Sequence, residues 1–292
     1  MKDPKSFVKL FDLNVPDIEH LEYYINQLSK TQKFKDIRKF LEMYEESEDI
    51  IGEDAYQFRK VKSEQIIEFI KSTNAYNELC YDKNLTDYPT SQTIQYDEKI
   101  KYISIDLRSA NWQALKHYDP NHINELGDNY EQFLNKFDLP KVFIHSKYLR
   151  QFIFGNVNPK RLIKVQRNLI QEIVRNYQDR LILEGVRNDE AIFSFKDFTQ
   201  LKEIVSEIDT TKYKLKIFTI QRVEDFRIDS VFDVDGNFQY KEMFGVDGTQ
   251  FFIKLKEYIT GESLEIRDLY FRSNGKLAIW ALDNLSCNLS NK

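Results

Sequence analysis

The chain has 292 residues, 41% of them hydrophobic and 14% aromatic, which is enough to build a core and too apolar for a disordered chain despite 30% charged residues. The formal net charge of -5 excludes a protein that coats nucleic acid through its overall charge, so any such contact must come from a local patch. No apolar run approaches the roughly 18 residues of a membrane span, and the start Met1-Lys2-Asp3-Pro4-Lys5 lacks the apolar stretch of a secretion signal.

The cysteines Cys80 and Cys287 are far apart and fit no metal spacing, which points to unpaired thiols in a reducing, cytoplasmic compartment. Nine Gly and six Pro leave little room for long structureless linkers.

Three segments are expected: a helical N-terminal region over residues 1–97, a mixed core over 98–228 and a β-rich unit over 229–292. In the first, Pro16 suits a first helical position, with Ile18, Leu21, Tyr24, Ile25 and Leu28 following at helical spacing. A second helix carries Phe34, Ile37, Phe40, Leu41 and Tyr44 and ends in the solvated acidic run Glu45-Glu46-Ser47-Glu48-Asp49. A third runs from about Asp54 to Ser72 and carries Val61, Ile66, Ile67, Phe69 and Ile70. Residues 73–97 are polar, contain Pro89 and are expected to be a connection.

Residues 99–106 predict a buried strand ending in Asp106. A helix over 109–117 follows, with Ser109 as its cap and Trp112 and Leu115 inward. A short helix starts at Tyr130. Residues 141–180 are strongly basic: Lys141, Lys147, Arg150, Lys160, Arg161, Lys164, Arg167, Arg175 and Arg180 stand against Glu172 and Asp179. Pro159 opens a helix whose buried face is Leu162, Ile163, Val165, Leu169, Ile170, Ile173 and Val174, and whose Lys160, Lys164 and Arg167 share another face. A hairpin follows, Leu181–Arg187 and Glu190–Phe195 around the turn Asn188-Asp189. A helix over 198–208 and a strand over 214–220 come next. Asp235-Gly236 and Asn274-Gly275 mark later hairpins, interrupted by a helix over 250–259. The fold class expected is α+β, an antiparallel sheet with packed helices.

Two acids at strand ends with cationic helices between them suit metal-dependent phosphoryl transfer. Carboxylates hold two divalent ions about 3.5–4 Å apart, and cations neutralise the phosphates. Asp106, Asp189 and the cations of 147–167 supply these parts. As plain structure, the same residues are a strand end, a turn and a solubilising surface.

The order of these segments resembles the palm and fingers of nucleic-acid polymerases over roughly residues 99–225. Asp106-Leu107-Arg108-Ser109-Ala110-Asn111 resembles the first catalytic motif, with Asp-x-x-Ser spacing similar to family B. The helix with Lys147, Arg150, Phe154 and Gly155 resembles the family A fingers helix, and Asn188-Asp189-Glu190 resembles its His-Asp-Glu turn. Asn188 departs from the usual His, Arg150 stands where Lys is expected, and some seventy residues follow the similar part.

The resemblance implies template-dependent nucleotidyl transfer, DNA or RNA, as in the replication of a virus or phage. The cofactor would be Mg²⁺ or Mn²⁺, and the partners nucleic acid and nucleoside triphosphates. It implies Asp106 and Asp189 as metal ligands and catalytic residues, with Glu190 as an auxiliary carboxylate. Lys147 and Arg150 would meet the triphosphate, Asn111 the sugar, with Arg108 beside them as a further substrate contact. Lys160, Lys164 and Arg167 would track the template backbone. Apart from the resemblance, the N-terminal helices are a place where a protein partner could bind. The alternatives are an inert polymerase-like protein that binds nucleic acid or protein, and a two-metal nuclease. A zinc site at His117 and His122, beside Pro120, has the wrong spacing, and no Walker loop or dinucleotide glycine fingerprint is present.

Overall fold

The computed structural model describes residues 1–51, 55–91, 93–119 and 126–281. Asp54, Pro120, His122 and Cys287, named above, lie outside the described residues. The fold is α+β, as the residue pattern leads one to expect. In chain order the helices are α1 (Pro4–Leu10), α2 (Leu21–Ser29), α3 (Ile37–Ile51), α4 (Ala55–Ser72), α5 (Asn74–Tyr81), α6 (Ala110–Lys116), α7 (Tyr130–Leu134), α8 (Lys141–Ile144), α9 (Lys147–Gly155), α10 (Pro159–Tyr177), α11 (Phe198–Glu207) and α12 (Phe251–Leu255). The strands are β1 (Lys101–Leu107), β2 (Ile182–Val186), β3 (Glu190–Phe195), β4 (Tyr213–Val223), β5 (Phe226–Phe232), β6 (Phe238–Phe244), β7 (Tyr270–Ser273) and β8 (Lys276–Ile279). Among the described residues no helix is long and apolar enough to cross a membrane.

The chain forms two compact units. One holds residues 1–49, 221–229 and those from Lys241 onward; the other holds 50–220 and 230–240. This grouping differs from the three consecutive segments expected above. Helices up to Asp49 group with C-terminal residues because contacts made across more than 200 positions leave no mark in local composition.

β1 to β6 form one sheet in the order β2-β3-β1-β4-β5-β6, and β7 and β8 form a separate pair. β1 is central, antiparallel to β3 on one side and to β4 on the other. The connections β1–helices–β2–β3–α11–β4 with neighbours β2-β3-β1-β4 make a split βαβ sheet. Strand alternation sorts β1 cleanly. Ile103, Ile105 and Leu107 lie on one face with Ala191 and Phe193 of β3, the side covered by α6 and α10. Tyr102, Ser104 and Asp106 lie on the other. Toward the Tyr102 end that face is apolar: Tyr102, Ile192, Phe218, Ile220 and Val231 pack with Ile94, Tyr96, Ile100 and Tyr240. Toward the Asp106 end it is polar.

Several expectations are corrected. Helix begins after Asp17, not at Pro16, because the Asp17 carboxylate accepts the Glu19 N–H at 3.0 Å and caps a short 3-10 turn. The acidic run does not end a helix; α3 continues to Ile51, and Glu45, Glu48 and Asp49 meet the N-terminal residues Met1 and Lys2. Val61 of the third expected helix is half exposed. Within 73–97 lies α5, capped by Thr73 and anchored by Ala75 and Leu79. The helix expected over 250–259 is α12 followed by a π-helical turn over Lys256–Thr260.

In the first unit, that π turn puts Lys256 almost wholly out of water, 1% exposed. Its ammonium donates to Asp268 Oδ2 at 2.9 Å and to the Ser263 carbonyl at 2.9 Å. Asp268 also accepts from the Tyr23 hydroxyl at 2.7 Å. Burial, together with the Asp268 carboxylate, drives the Tyr23 phenol far up. A charge this deep is tolerable only because every partner is in place.

A candidate active site at the end of the central strand

Asp106 and Glu190 are directly opposite residues of the β1–β3 ladder. Asp189 precedes Glu190 in the turn, and its carbonyl accepts the Leu107 N–H at 2.8 Å, which binds the turn to the end of β1. Three carboxyl groups from two strands and a turn are thereby brought to one end of the sheet. The β1–β3 register does this: shifting it by one residue would send Asp106 to the helix-covered face.

The electrostatics follow. Burial, and then the charges of Asp189 and Glu190, push the Asp106 carboxyl up to about 7, against the pull of Lys214 and Arg108. Asp189 is raised too, by burial first and Glu190 second, while a backbone N–H and Arg187 oppose the shift. The repulsion between the two carboxyls is mutual, since charge on either one disfavours ionisation of the other.

Glu190 is held differently. Ser104 Oγ donates to its Oε1 at 2.5 Å, and Arg187 Nη1 lies 3.0 Å from its Oε2. Its charge is already partnered. Among the described residues no group of three or more His, Cys, Asp or Glu forms a ready cage for a metal ion. The donor set nevertheless fits a hard cation bound by two carboxylates that keeps water on its other positions, as Mg²⁺ does. Asp106 and Asp189 repel one another in a half-buried place, and a divalent cation between them would relieve that repulsion.

The chain leaves β1 through a sharp corner. Ser109 has φ of 49°, a left-handed conformation that costs a residue with a Cβ about 1–3 kcal/mol. It does not cap α6 through its side chain. Its hydroxyl instead faces Arg150, with Nη1 at 3.5 Å, and the Arg150 guanidinium lies 5.7 Å from the Tyr130 ring. So α9 brings Arg150 to the corner that follows Asp106, while Lys147 is exposed at the start of the same helix. Asn111 Oδ1 accepts from Gln166 Nε2 at 2.7 Å. Arg108 turns its Nε to the carbonyls of Thr210 and Tyr213, at 2.8 and 3.1 Å.

The α10 cations divide. Lys160 is exposed. Lys164 and Arg167 both reach Asp87, at 3.5 and 2.5 Å. Arg167 also donates through Nε to Asn188 Oδ1 at 3.0 Å, so α10 touches the turn that carries Asp189. Residues not singled out from the sequence complete the site. Ser104 holds Glu190. Lys214, exposed, is the β4 partner of Asp106. Gln166 and Asp87 occupy Asn111 and α10. The alternation Lys214–Lys216 in a strand was the one available signal, because it puts both on the face of whichever residues pair with them.

Comparison with protein-family models, with curated proteins and with solved structures gives no match.

Proposed function

We propose that the protein is a nucleotidyltransferase that extends a nucleic-acid strand on a template, acting in the cytoplasm with Mg²⁺ or Mn²⁺. One observation carries this reading. Asp106 at the end of β1, and Asp189 in the turn whose carbonyl accepts the Leu107 N–H, stand at one end of a split βαβ sheet, with Asp106 pushed up to about 7 by burial first and then by the charges of Asp189 and Glu190. Two carboxylates under that strain suit the binding of divalent cations. The order of segments similar to a polymerase palm supports it by analogy of fold alone.

Bound metal would supply charge neutralisation for the attacking and leaving oxygens. The chain's own residues do the rest. Asp106 and Asp189 accept at their carboxylate oxygens. Ser104 and Arg187 fix Glu190 so that it tunes Asp106 by charge. Arg150, set at the Ser109 corner, meets the phosphates of a nucleoside triphosphate, with Lys147 further out. Asn111, oriented by Gln166, lines the place of the sugar. Arg108 fixes the β1–α6 corner against the start of β4.

The test is primer extension with Mg²⁺, comparing the wild type with Asp106→Asn and Asp189→Asn. Extension by the wild type and a loss of at least about a hundredfold in each variant is expected. Equal extension by all three proteins would remove the assignment. A second reading, an inert nucleic-acid-binding protein of the same architecture, is favoured by the Arg187–Glu190 ion pair, which already occupies one of the three carboxylates. That reading predicts binding of a primer–template with no extension by the wild type.

A further inference from the structure

α10 carries Lys160, Arg161, Lys164, Arg167 and Arg175 against the single acid Glu172. Most of these cations are engaged by one stretch of the same chain, residues 79–91, which has no regular structure after α5. Arg161 donates to the carbonyls of Leu79 and Asp82. Asn168 Nδ2 donates to the Thr86 carbonyl at 2.7 Å. Arg167 reaches Asp87 and the Tyr88 carbonyl, and Arg175 donates to the Tyr88 hydroxyl at 2.6 Å. The far end of the stretch is pinned to the sheet edge. Ser91 N–H donates to the Val186 carbonyl at 2.8 Å, and Val186 N–H donates to Ser91 Oγ at 3.0 Å.

Two strap carboxylates act on the cationic row: Asp82 on Arg161, and Asp87 on Lys164 and Arg167. Asp87 is the one that forms ion pairs with the middle of the row. It lies between Lys164 and Arg167, and its side chain is about half exposed, at 53%. The other contacts are to carbonyls and a phenol. They hold the strap without placing a carboxylate on Lys164 or Arg167. Arg167 in turn touches Asn188, the residue before Asp189. So one carboxylate occupies two cations of α10, one of which touches the turn that carries Asp189.

We propose that Asp87 is an internal stand-in for a phosphate: it holds Lys164 and Arg167 in the absence of nucleic acid, and a polynucleotide backbone displaces it. This rests on the reading above only in taking the polyanion to be nucleic acid. The row does not need Asp106, Asp189 or a metal. Exposed ion pairs of this kind are weak, so a phosphate chain that brings several charges can replace one carboxylate. The strap itself stays in place through Arg161, Asn168, Arg175 and Ser91.

The experiment is fluorescence anisotropy with a labelled mixed-sequence single-stranded DNA of twenty nucleotides, in EDTA, at several salt concentrations. It compares the wild type, Asp87→Asn and Asp179→Asn. The last removes the same charge at an exposed position beyond the end of α10. Asp87→Asn is expected to tighten binding at least about threefold. Asp179→Asn should do less than half of that. Thermal melts confirm that each variant is folded. Equal effects of the two substitutions, weaker binding by Asp87→Asn, or no binding by any of the proteins would overturn the proposal. Because metal is absent, failure here is separable from failure of the catalytic reading, which primer extension decides.

Discussion

Asp106 faces Glu190 across the β1–β3 ladder, and Ser104, two residues earlier on the same face, donates its hydroxyl to that glutamate at 2.5 Å. The three residues make a small device. Ser104 and Arg187 bond the two oxygens of the glutamate, and burial, Asp189 and that glutamate make ionisation of Asp106 costly.

That cost predicts a pH dependence. A carboxyl raised to about 7 in the folded chain, against roughly 3.9 unfolded, binds more protons in the native state through that window. Stability of the metal-free protein is therefore expected to fall as pH rises from about 4 to 7, as far as this group is concerned. Asp106→Asn removes the penalty. It should stabilise the protein by about 1–2 kcal/mol at pH 8, allowing for solvent screening of a half-buried group, and by almost nothing at pH 4. Urea unfolding at both values checks this. An equal effect at the two pH values would contradict it.

Ser104→Ala is expected to cost about 1–2 kcal/mol, since it deletes a buried hydroxyl that donates to a charged group. Arg187→Ala should cost under about 0.5 kcal/mol, because that guanidinium is more than half exposed. If the account of Glu190 holds, Ser104→Ala changes activity more than Arg187→Ala does. Paired kinetic and denaturation measurements separate the two.

Gly185 is a packing requirement. A Cβ there would lie 2.6 Å from Ile94 Cγ1 and 3.0 Å from Ser91 Oγ. Gly185→Ala should destabilise by about 1–3 kcal/mol, and adding Ile94→Ala should recover part of the loss. A double-mutant cycle on melting curves reads this directly.

In the other unit, Asp268→Ala should be among the most damaging single changes. It strands the Lys256 ammonium and the Tyr23 hydroxyl, and about 3–5 kcal/mol is expected. Replacing Lys256 with Met in the same chain should return much of it, since an apolar side chain can replace a buried charge at little cost. Chemical denaturation of the single and double variants is the check.

The sheet was legible where local signals agreed. β1 and the β2–β3 hairpin are apolar runs bounded by an acid or an Asn-Asp turn, and α10 has an uninterrupted helical stripe behind Pro159. Asp235-Gly236 and Asn274-Gly275 also turn where expected, with Asn274, Gly236 and Gly275 at positive φ. α5 was missed because its eight residues bury only Ala75 and Leu79, too few to show a period. Ser109 was read as a cap because Ser before a helix usually is one. Its left-handed backbone and its contact with Arg150 depend on where α9 lies. The pairing of Asp106 with Glu190 requires a ladder register, and the engagement of Lys164 and Arg167 by Asp87 joins residues 77 and 80 positions apart. Relationships of that kind are set by tertiary packing, and no local pattern encodes them.

The most direct measurement is Mn²⁺ binding at pH 8, followed by electron paramagnetic resonance of the free ion, for the wild type, Asp106→Asn and Asp189→Asn. Both acids acting at one cation site predicts binding by the wild type and a loss of at least about tenfold in affinity in each variant. Binding left intact in both variants, or absent from the wild type, would contradict the claim that the end of β1 is built to hold a divalent ion.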